Sequence, residues 1–598
     1  MSVKRCILGA GAALASIFLV PAADALETFK LDLSIGNDDP LQDTLIAAST
    51  LSNLTEGEDT TARDVIAAAQ SDYTTLLEAL YANGYYSGRI SILLDGREAA
   101  EIDPFGVPDA FQRAQVIVNP GPRFTFGTAR IAPLAKPQPA LAPGEPALAT
   151  VVRDAAQGAV ADWRDTGHAK ARIADQSITA RHEAAQLDVD VAIDPGPRLR
   201  FGEVTVSGES AVREARIRQI AGLPRGEVFM PSEVETAANR LRRTGTFASV
   251  QITEGETPRA DGTLDMDIAV VDRKPRRIGG GIELSSLDGL TLSGYWLHRN
   301  FFGGAERLRI DGEIAQIGGA GQGIDYSLSV RIEKPAVYGA DTMFYAEAGL
   351  SRADEPDFLT DRAELTLGVS REFSPTLTGD LGVAISYAEI TDRFTNAPNQ
   401  TREMLLFSLP AALTWDTRDD PLDARDGYYL MAELEPFYNQ TRGEYGARFA
   451  LDGRAYRAVG DRAVLAGRLQ LGSYGGTDAV NAPPDMLFYS GGGGTVRGQP
   501  YQSLDADYGG VSLGGRSLAV LSAEARIGVT DTIGVVAFAD YGVVGSESFG
   551  GGSDWHAGAG LGLRYKTPVG PIRFDVAGPV GGDTGDGVQL YIGIGQAF

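Results

Sequence analysis

One cysteine, Cys6, occurs in 598 residues. A lone thiol rules out a disulfide framework and a thiolate-rich metal cage within the chain. Histidine is nearly as scarce. His168, His182, His298 and His556 are scattered, with no second ligand at zinc spacing, so they read as surface or interior histidines. Basic residues are outnumbered, 53 Lys and Arg against 79 Asp and Glu, for a formal charge of −26. That balance speaks against a nucleic-acid partner, which needs clustered Lys and Arg. Beyond residue 25 there is no apolar run of about 18 residues, so any membrane crossing must be made by strands.

What is present begins with an export signal. Lys4 and Arg5 precede an apolar run from Ile7 to Val20, and Ala23–Ala25 reads "ADA", small residues at the spacing of a cleavage site. Residues 1–25 are therefore expected to be a signal peptide. Cys6 lies ahead of its apolar core, so a mature chain from Leu26 has no thiol.

The phrase "NPGPRFTFG" (Asn119 to Gly127) returns as "DPGPRLRFG" (Asp194 to Gly202). Ahead of each copy stands a helix-like stretch, a glycine and then a strand. Leu76, Leu77, Leu80 and Tyr81 precede Gly84; Val160 and Trp163 precede Gly167; a third version sets Val234, Ala238 and Leu241 before Gly245. Each unit closes with an alternating strand and a Pro-containing turn. The periodicity implies three α+β modules, at 26–122, 123–198 and 199–275, with the repeated phrase as the joint between them.

From 276 to 598 the pattern becomes short alternating segments separated by Gly, Asp, Asn and Pro. About sixteen candidate strands at this spacing suit an antiparallel membrane barrel. In "SLAVLSAEARI", Leu521 and Ile527 share one face while Ser522, Glu524 and Arg526 share the other. Asp540 falls on the polar face of its strand, and Val588, Leu590, Ile592, Ile594 and Phe598 line up against Gln589, Tyr591, Gly593 and Gly595. An apolar outside and a polar inside fit lipid and a wet lumen. A soluble sandwich also alternates, but does not require export.

Sites for covalent chemistry do not emerge. "GVSLG" (Gly510 to Gly514) matches G-x-S-x-G but lies in a Gly-rich loop leading into a strand, where a nucleophile elbow needs a strand before and a helix after. "GGDTGDG" (Gly581 to Gly587) is too short for a calcium loop of the EF-hand kind and reads as a hairpin. The chain is expected to be no enzyme and to need no metal or cofactor.

Three stretches carry a family resemblance. "WDTRDDPLDARDGYYL" (Trp415 to Leu430) resembles the strand–turn–strand signature of the BamA/TamA superfamily of outer-membrane assembly proteins. "GGGGTVRGQPY" (Gly491 to Tyr501) is similar to its VRGF/Y loop, with Gln499 at the usual aromatic position. "GLRYKTPVGPIRFDVAGPV" (Gly562 to Val580) resembles its penultimate-strand signature, and the sequence closes on an aromatic, Phe598. The resemblance implies polypeptide-transport-associated (POTRA) domains in the periplasm before a sixteen-stranded barrel in the outer membrane of a Gram-negative bacterium. Three modules on a chain near 600 residues look most like the TamA branch. That branch implies a TamB-like inner-membrane-anchored partner, contact with outer-membrane lipid, and unfolded β-barrel clients such as autotransporters. A BamA-like general insertase, a two-partner secretion pore and phospholipid transport are the alternatives.

The resemblance also assigns residues. The loop bearing Thr495, Val496, Arg497 and Gly498 is expected to fold back into the barrel, where Arg497 meets Glu524 and Asp540 on the inner wall. Asp416, Arg418, Asp419, Pro421 and Gly427 belong to a periplasmic turn. The first strand, near Ile282, and the last, with Ile592, Gly593, Gly595 and Phe598, are expected to form a lateral seam to which a client strand adds. Gly593 and Gly595 are expected to weaken the last strand and let it bend.

Overall fold

The computed structural model describes residues 26–34, 39–54, 60–103, 108, 110–137, 141–285, 289–319, 323–355, 357–393, 400–567, 570–585 and 587–598; the expected signal peptide and Cys6 lie outside them. Ahead of the barrel stand three separate sheets. The first orders its strands Leu26–Leu33, Phe111–Asn119, Arg89–Leu94 and Arg97–Glu98. Helices Asp39–Ala48 and Ala62–Ala82 accompany it, and Leu45, Leu76, Leu80, Ile92 and Val116 close a dry core. The second orders Thr125–Ala132, Gln186–Asp194 and Arg172–Arg181, with Ala149–Arg164 as its helix among the described residues. The third orders Arg200–Ser207, Thr263–Asp272 and Phe247–Glu254, with helices Glu214–Ala221 and Pro231–Arg243.

The repeated phrase has the same physics in both copies. Pro120 and Pro195 preset the turn, and Gly121 (φ 70°) and Gly196 (φ 64°) occupy the left-handed position that follows. Their N–H groups donate to Asn119 Oδ1 (3.2 Å) and Asp194 Oδ1 (3.1 Å). Phe124 and Phe126, then Leu199 and Phe201, turn into the module interiors. At Gly127 and Gly202 a Cβ would run into the carboxylates of Asp188 and Asp265. Those carboxylates accept the next N–H, from Thr128 (2.6 Å) and Glu203 (2.8 Å). Each phrase thus starts a strand and pins it to the strand beside it.

The barrel pairs its strands in sequence order and closes the last on the first. It has sixteen strands among the described residues, the eighth broken into Gln400–Ser408 and Ala411–Asp416. Pro410, which has no N–H to give the ladder, makes the break, and both halves pair with the strands on either side. Leu521, Ile527, Val535 and Tyr541 face outward, while Ser522, Glu524, Arg526 and Asp540 are buried inside. No described helix is long and apolar enough to cross a membrane.

The third module is fastened to the barrel turns at one end. Arg240 grips the Asp341 carboxylate with two bonds of 2.7 Å, and Arg243 pairs with Glu372. Arg216 donates to the carbonyl of Pro335 (2.5 Å), Gln219 to that of Ala336 (3.0 Å) and Thr246 to that of Arg299 (2.8 Å). Ala305 and Ala336, from those turns, are buried in the module's own core with Ile217 and Leu241. The Arg240 guanidinium holds the Asp341 carboxyl below its usual 3.8.

Candidate functional site

Between the eleventh strand (Ala463–Gly475) and the twelfth (Ser517–Gly528), residues 476–516 fold into the lumen and are tied to opposite walls. On one side Arg402 donates to the carbonyls of Asn481 (3.0 Å) and Ala482 (2.9 Å), and Arg362 pairs with Asp485 at 2.7 Å. On the other lies Arg497, 2% exposed. Its Nε (2.7 Å) and Nη2 (2.9 Å) fork onto Asp540, its own N–H bonds the same carboxylate (3.1 Å), and Nη1 reaches Glu524 Oε1 at 2.5 Å. The bidentate geometry fixes orientation as well as charge.

The expected trio is part of a larger cluster. Arg526 bonds the second Glu524 oxygen (2.8 Å), Arg564 pairs with Asp575, and Asp575 lies 3.9 Å from Arg497. The Phe538 ring stacks under the Arg497 guanidinium at 3.7 Å. Three carboxylates thus meet three guanidiniums, a neutral set enclosed by protein. Polar parity locates Arg526, but nothing in the sequence marks Asp575, Arg564 or Phe538 as its companions.

The rest of the loop motif is positional. Thr495 Oγ1 closes the turn by accepting from Gly491 N–H (2.8 Å) and donating to Gly491 O (3.0 Å), and Val496 is fully buried. Gly558, on the inner wall, leaves room for the Arg497 backbone, since a Cβ there would strike the Arg497 carbonyl, and a Cβ on Gly498 would strike the backbone of Gly578. Gln499, where the resemblance expects an aromatic, donates to the carbonyls of Ala557 (2.8 Å) and Gly581 (3.1 Å) and accepts from Thr584 (3.0 Å). An amide therefore anchors the loop where a ring would only fill space. Gly498 N–H donates to Tyr591 OH (3.1 Å), and Tyr591 belongs to the last strand. The loop and the seam share a hydrogen bond.

The seam is short. Among the described residues, the first strand (Arg276–Ser285) meets the sixteenth (Gln589–Ile594) at two residue pairs, Leu284 with Ile592 and Ser285 with Tyr591. Strands twelve and thirteen, by contrast, pair from Ser517–Gly545 to Gly528–Gly534 without a break. Ile282 and Ile592 lie on the first and last strands as expected, and the register sets Ile592 opposite Leu284, with Ile282 two residues away and opposite Leu292 of the second strand. Ile278 and Ile282 are exposed beside that unpaired edge. Among the described residues, an ion pair crosses the seam: Arg573, opposite Gly593 on the neighbouring strand, reaches Glu283 at 3.0 Å. A Cβ on Gly593 would crowd the Arg573 side chain, so this glycine lets the arginine pass.

Phe598 also departs from expectation. Gly595 (φ 96°) turns the chain away from the strand, and Phe598 is buried inside the barrel with Tyr456, Ala466 and Ala424 instead of facing lipid beside Ile594. Its carbonyl accepts from Arg526 (2.9 Å), and Gln596 bridges Arg564 (2.8 Å) and Asp423 (2.8 Å). The alternation failed here because it was carried past the end of the strand.

Asp423 belongs to the turn that joins strands eight and nine. There Arg418 forks onto Asp416 (2.9 and 2.8 Å) and donates to the Pro421 carbonyl (3.3 Å), and Gly427 (φ 108°) re-enters the strand. Asp419 Oδ1 accepts the N–H groups of Asp420, Arg425 and Asp426. Burial opposes its charge, but these donors hold its carboxyl below the usual range. Ser512, the would-be elbow serine, sits in a two-residue strand paired with Ala506–Asp507, with no helix after it.

Comparison with known proteins gives a consistent result. The Omp85 superfamily domain matches residues 300–598, and a POTRA family, surface antigen variable number repeat, matches 199–273. The chain is 23% identical over 454 residues to the outer membrane protein assembly factor BamA of Nitratidesulfovibrio vulgaris, covering 73% of this chain and 56% of that protein. It is 24% identical over 410 residues to the chloroplastic outer envelope protein 80 of Arabidopsis thaliana, covering 61% of this chain and 52% of that one. The chain thus spans about half the length of these curated relatives. Among solved structures, BamA from Haemophilus ducreyi lacking POTRA domains 1–3 superposes with a TM-score of 0.63 at 15% identity, over 79% of this chain and 100% of that one.

Proposed function

The chain belongs to the Omp85 superfamily, its barrel in the outer membrane and its POTRA domains in the periplasm, and from that premise we propose that it assists the insertion of β-barrel clients through the seam. The observation that carries this reading is that, among the described residues, the first and last strands join at two pairs, beside a first strand unpaired on that edge from Arg276 to Glu283. Backbone hydrogen bonds contribute about 0.5–1.5 kcal/mol each, so so short a ladder separates at low cost. Its opening exposes an edge to which an incoming strand adds.

In this reading the lumen loop is the regulator of the seam. Arg497 holds the loop to the wall, and Gly498 holds Tyr591, which pairs with Ser285 across the seam. Releasing the arginine frees the last strand as well. No covalent step is involved. The presence of three sheets before the barrel supports the TamA-like branch, with a TamB-like inner-membrane-anchored partner and autotransporter-type clients. The test is deletion of the gene followed by quantitative comparison of heat-modifiable outer-membrane proteins, with affinity capture on the periplasmic domains. Loss of specific barrel proteins and recovery of a long, inner-membrane-anchored partner support the reading. Undiminished barrels with altered outer-membrane phospholipid would instead favour phospholipid transport.

A further inference from the structure

At the extracellular end of the barrel two carboxylates converge on one amide. Gln316 closes the third strand (Arg307–Ile317), Asp325 opens the fourth (Asp325–Lys334), and Glu355 lies in the turn after the fifth (Thr342–Asp354). Gln316 Nε2 donates to Asp325 Oδ2 and to Glu355 Oε1, both at 3.0 Å. Glu355 is 3% exposed and Gln316 5%. Among the described residues, the second oxygen of Glu355 and the amide oxygen of Gln316 have no hydrogen-bond partner. Tyr501, from the lumen loop, makes one long bond to Glu355 (3.4 Å). The nearby cation, Arg393, is committed to Asp354 (2.6 Å) and to the Glu355 backbone carbonyl (3.2 Å).

Two acids in this setting lack a counter-charge. Burial, then the like charge of Asp325, pushes the Glu355 carboxyl up to about 7. Asp354, Asp357 and Asp505 add further negative charge around this end of the loop. Hydrogen-bond logic alone fixes which end of an amide is oxygen. Turned over, the Gln316 amide would place a third oxygen where its nitrogen now meets both carboxylates. Gln316 and Asp325, with Tyr501, border a lumen cavity of about 570 Å³, and Glu355 lies behind them on the Gln316 amide.

We propose that Asp325, Glu355 and Gln316 form a site for a hard divalent cation, Ca²⁺ or Mg²⁺, which clamps the third, fourth and fifth strands to the lumen loop through Tyr501. The described residues contain no group of three or more His, Cys, Asp or Glu that could hold a metal, and this site supplies two carboxylates and an amide, with water completing the sphere. So few protein ligands put its affinity near the weak, extracellular end of the calcium range, about 10⁻⁴–10⁻³ M.

The test uses the full chain purified in detergent micelles at pH 7.5, titrated with Tb³⁺, a Ca²⁺ surrogate whose emission Tyr501 can sensitise. Expected are Ca²⁺-displaceable emission, about fivefold or more loss of affinity in Glu355→Gln and Asp325→Asn, and no change in Glu403→Gln. Heat-modifiable migration reports whether each variant has assembled. Should a variant fail to assemble, the wild-type chain decides: emission should be displaced by millimolar Ca²⁺ or Mg²⁺ and not by K⁺ at matched ionic strength. Absence of Ca²⁺-displaceable emission, binding indifferent to both variants, or displacement by K⁺ as effective as by Ca²⁺ overturns the site.

Discussion

Replacing Arg497 with Ala removes one of three guanidiniums from a set that also holds Glu524, Asp540 and Asp575. Three carboxylates then face Arg526 and Arg564 alone, leaving one buried negative charge without a partner. All three acids have side chains with no solvent exposure, so water cannot screen the excess. Breaking a buried pair in this way costs about 3–5 kcal/mol, well above the value of under about 1 kcal/mol for a hydrated pair. The loop also loses the fork that holds it against Gly558 and Gly578. The expected result is a lower denaturation midpoint of the heat-modifiable form, loop cleavage by protease added outside the cell, and reduced client insertion. Adding Asp540→Asn to Arg497→Ala removes the excess charge, so the double variant should be less unstable than the two single effects predict, by about 1 kcal/mol or more. An Arg497→Ala barrel with unchanged midpoint and a protected loop would refute the reasoning, as would strict additivity with Asp540→Asn.

Tyr591→Phe keeps the ring and deletes the hydroxyl that accepts from Gly498, so it should raise loop proteolysis and the yield of seam crosslinks while the barrel still assembles. Gly558→Ala should expel the loop without touching any charge, since a Cβ there collides with the Arg497 carbonyl; unchanged protease protection would contradict that. Phe598→Ala opens a cavity against Tyr456 and Ala466 and should cost about 3–5 kcal/mol at most in barrel stability, read as the denaturation midpoint. Because the Asp341 carboxyl is held below its usual 3.8 by Arg240, its contribution is complete above that pH. It is lost as pH falls through the depressed value. Arg240→Ala should abolish this acid-dependent step in a hydrogen-exchange comparison of the third module.

Much of the fold was legible because it rests on period. Two-residue alternation exposed the barrel strands, and helix–glycine–strand order exposed the modules, with Gly84, Gly167 and Gly245 all at positive φ. Parity placed Glu524 and Asp540 inside. Four features escaped. The break at Pro410 leaves the alternation of strand eight otherwise intact. The inward turn at Gly595 depends on Arg526, Arg564 and Asp423, which are distant in sequence. The seam register follows from barrel closure, which no local pattern encodes, and it sets Ile592 opposite Leu284. The passage of Arg573 over Gly593 shows the same limit: a glycine read as weakness in one strand is space for a side chain from the next.

Opening of the seam is tested most directly by a disulfide between Leu284→Cys and Ile592→Cys. The two residues are directly opposed, at a Cα spacing of about 4.5–5.5 Å for such antiparallel pairs, within the range a disulfide spans. No natural cysteine follows Cys6 to compete. Insertion of a radiolabelled β-barrel client into proteoliposomes carrying this variant should stop on oxidation and return on reduction. Undiminished insertion with the crosslink shown to be complete would contradict a role for the seam.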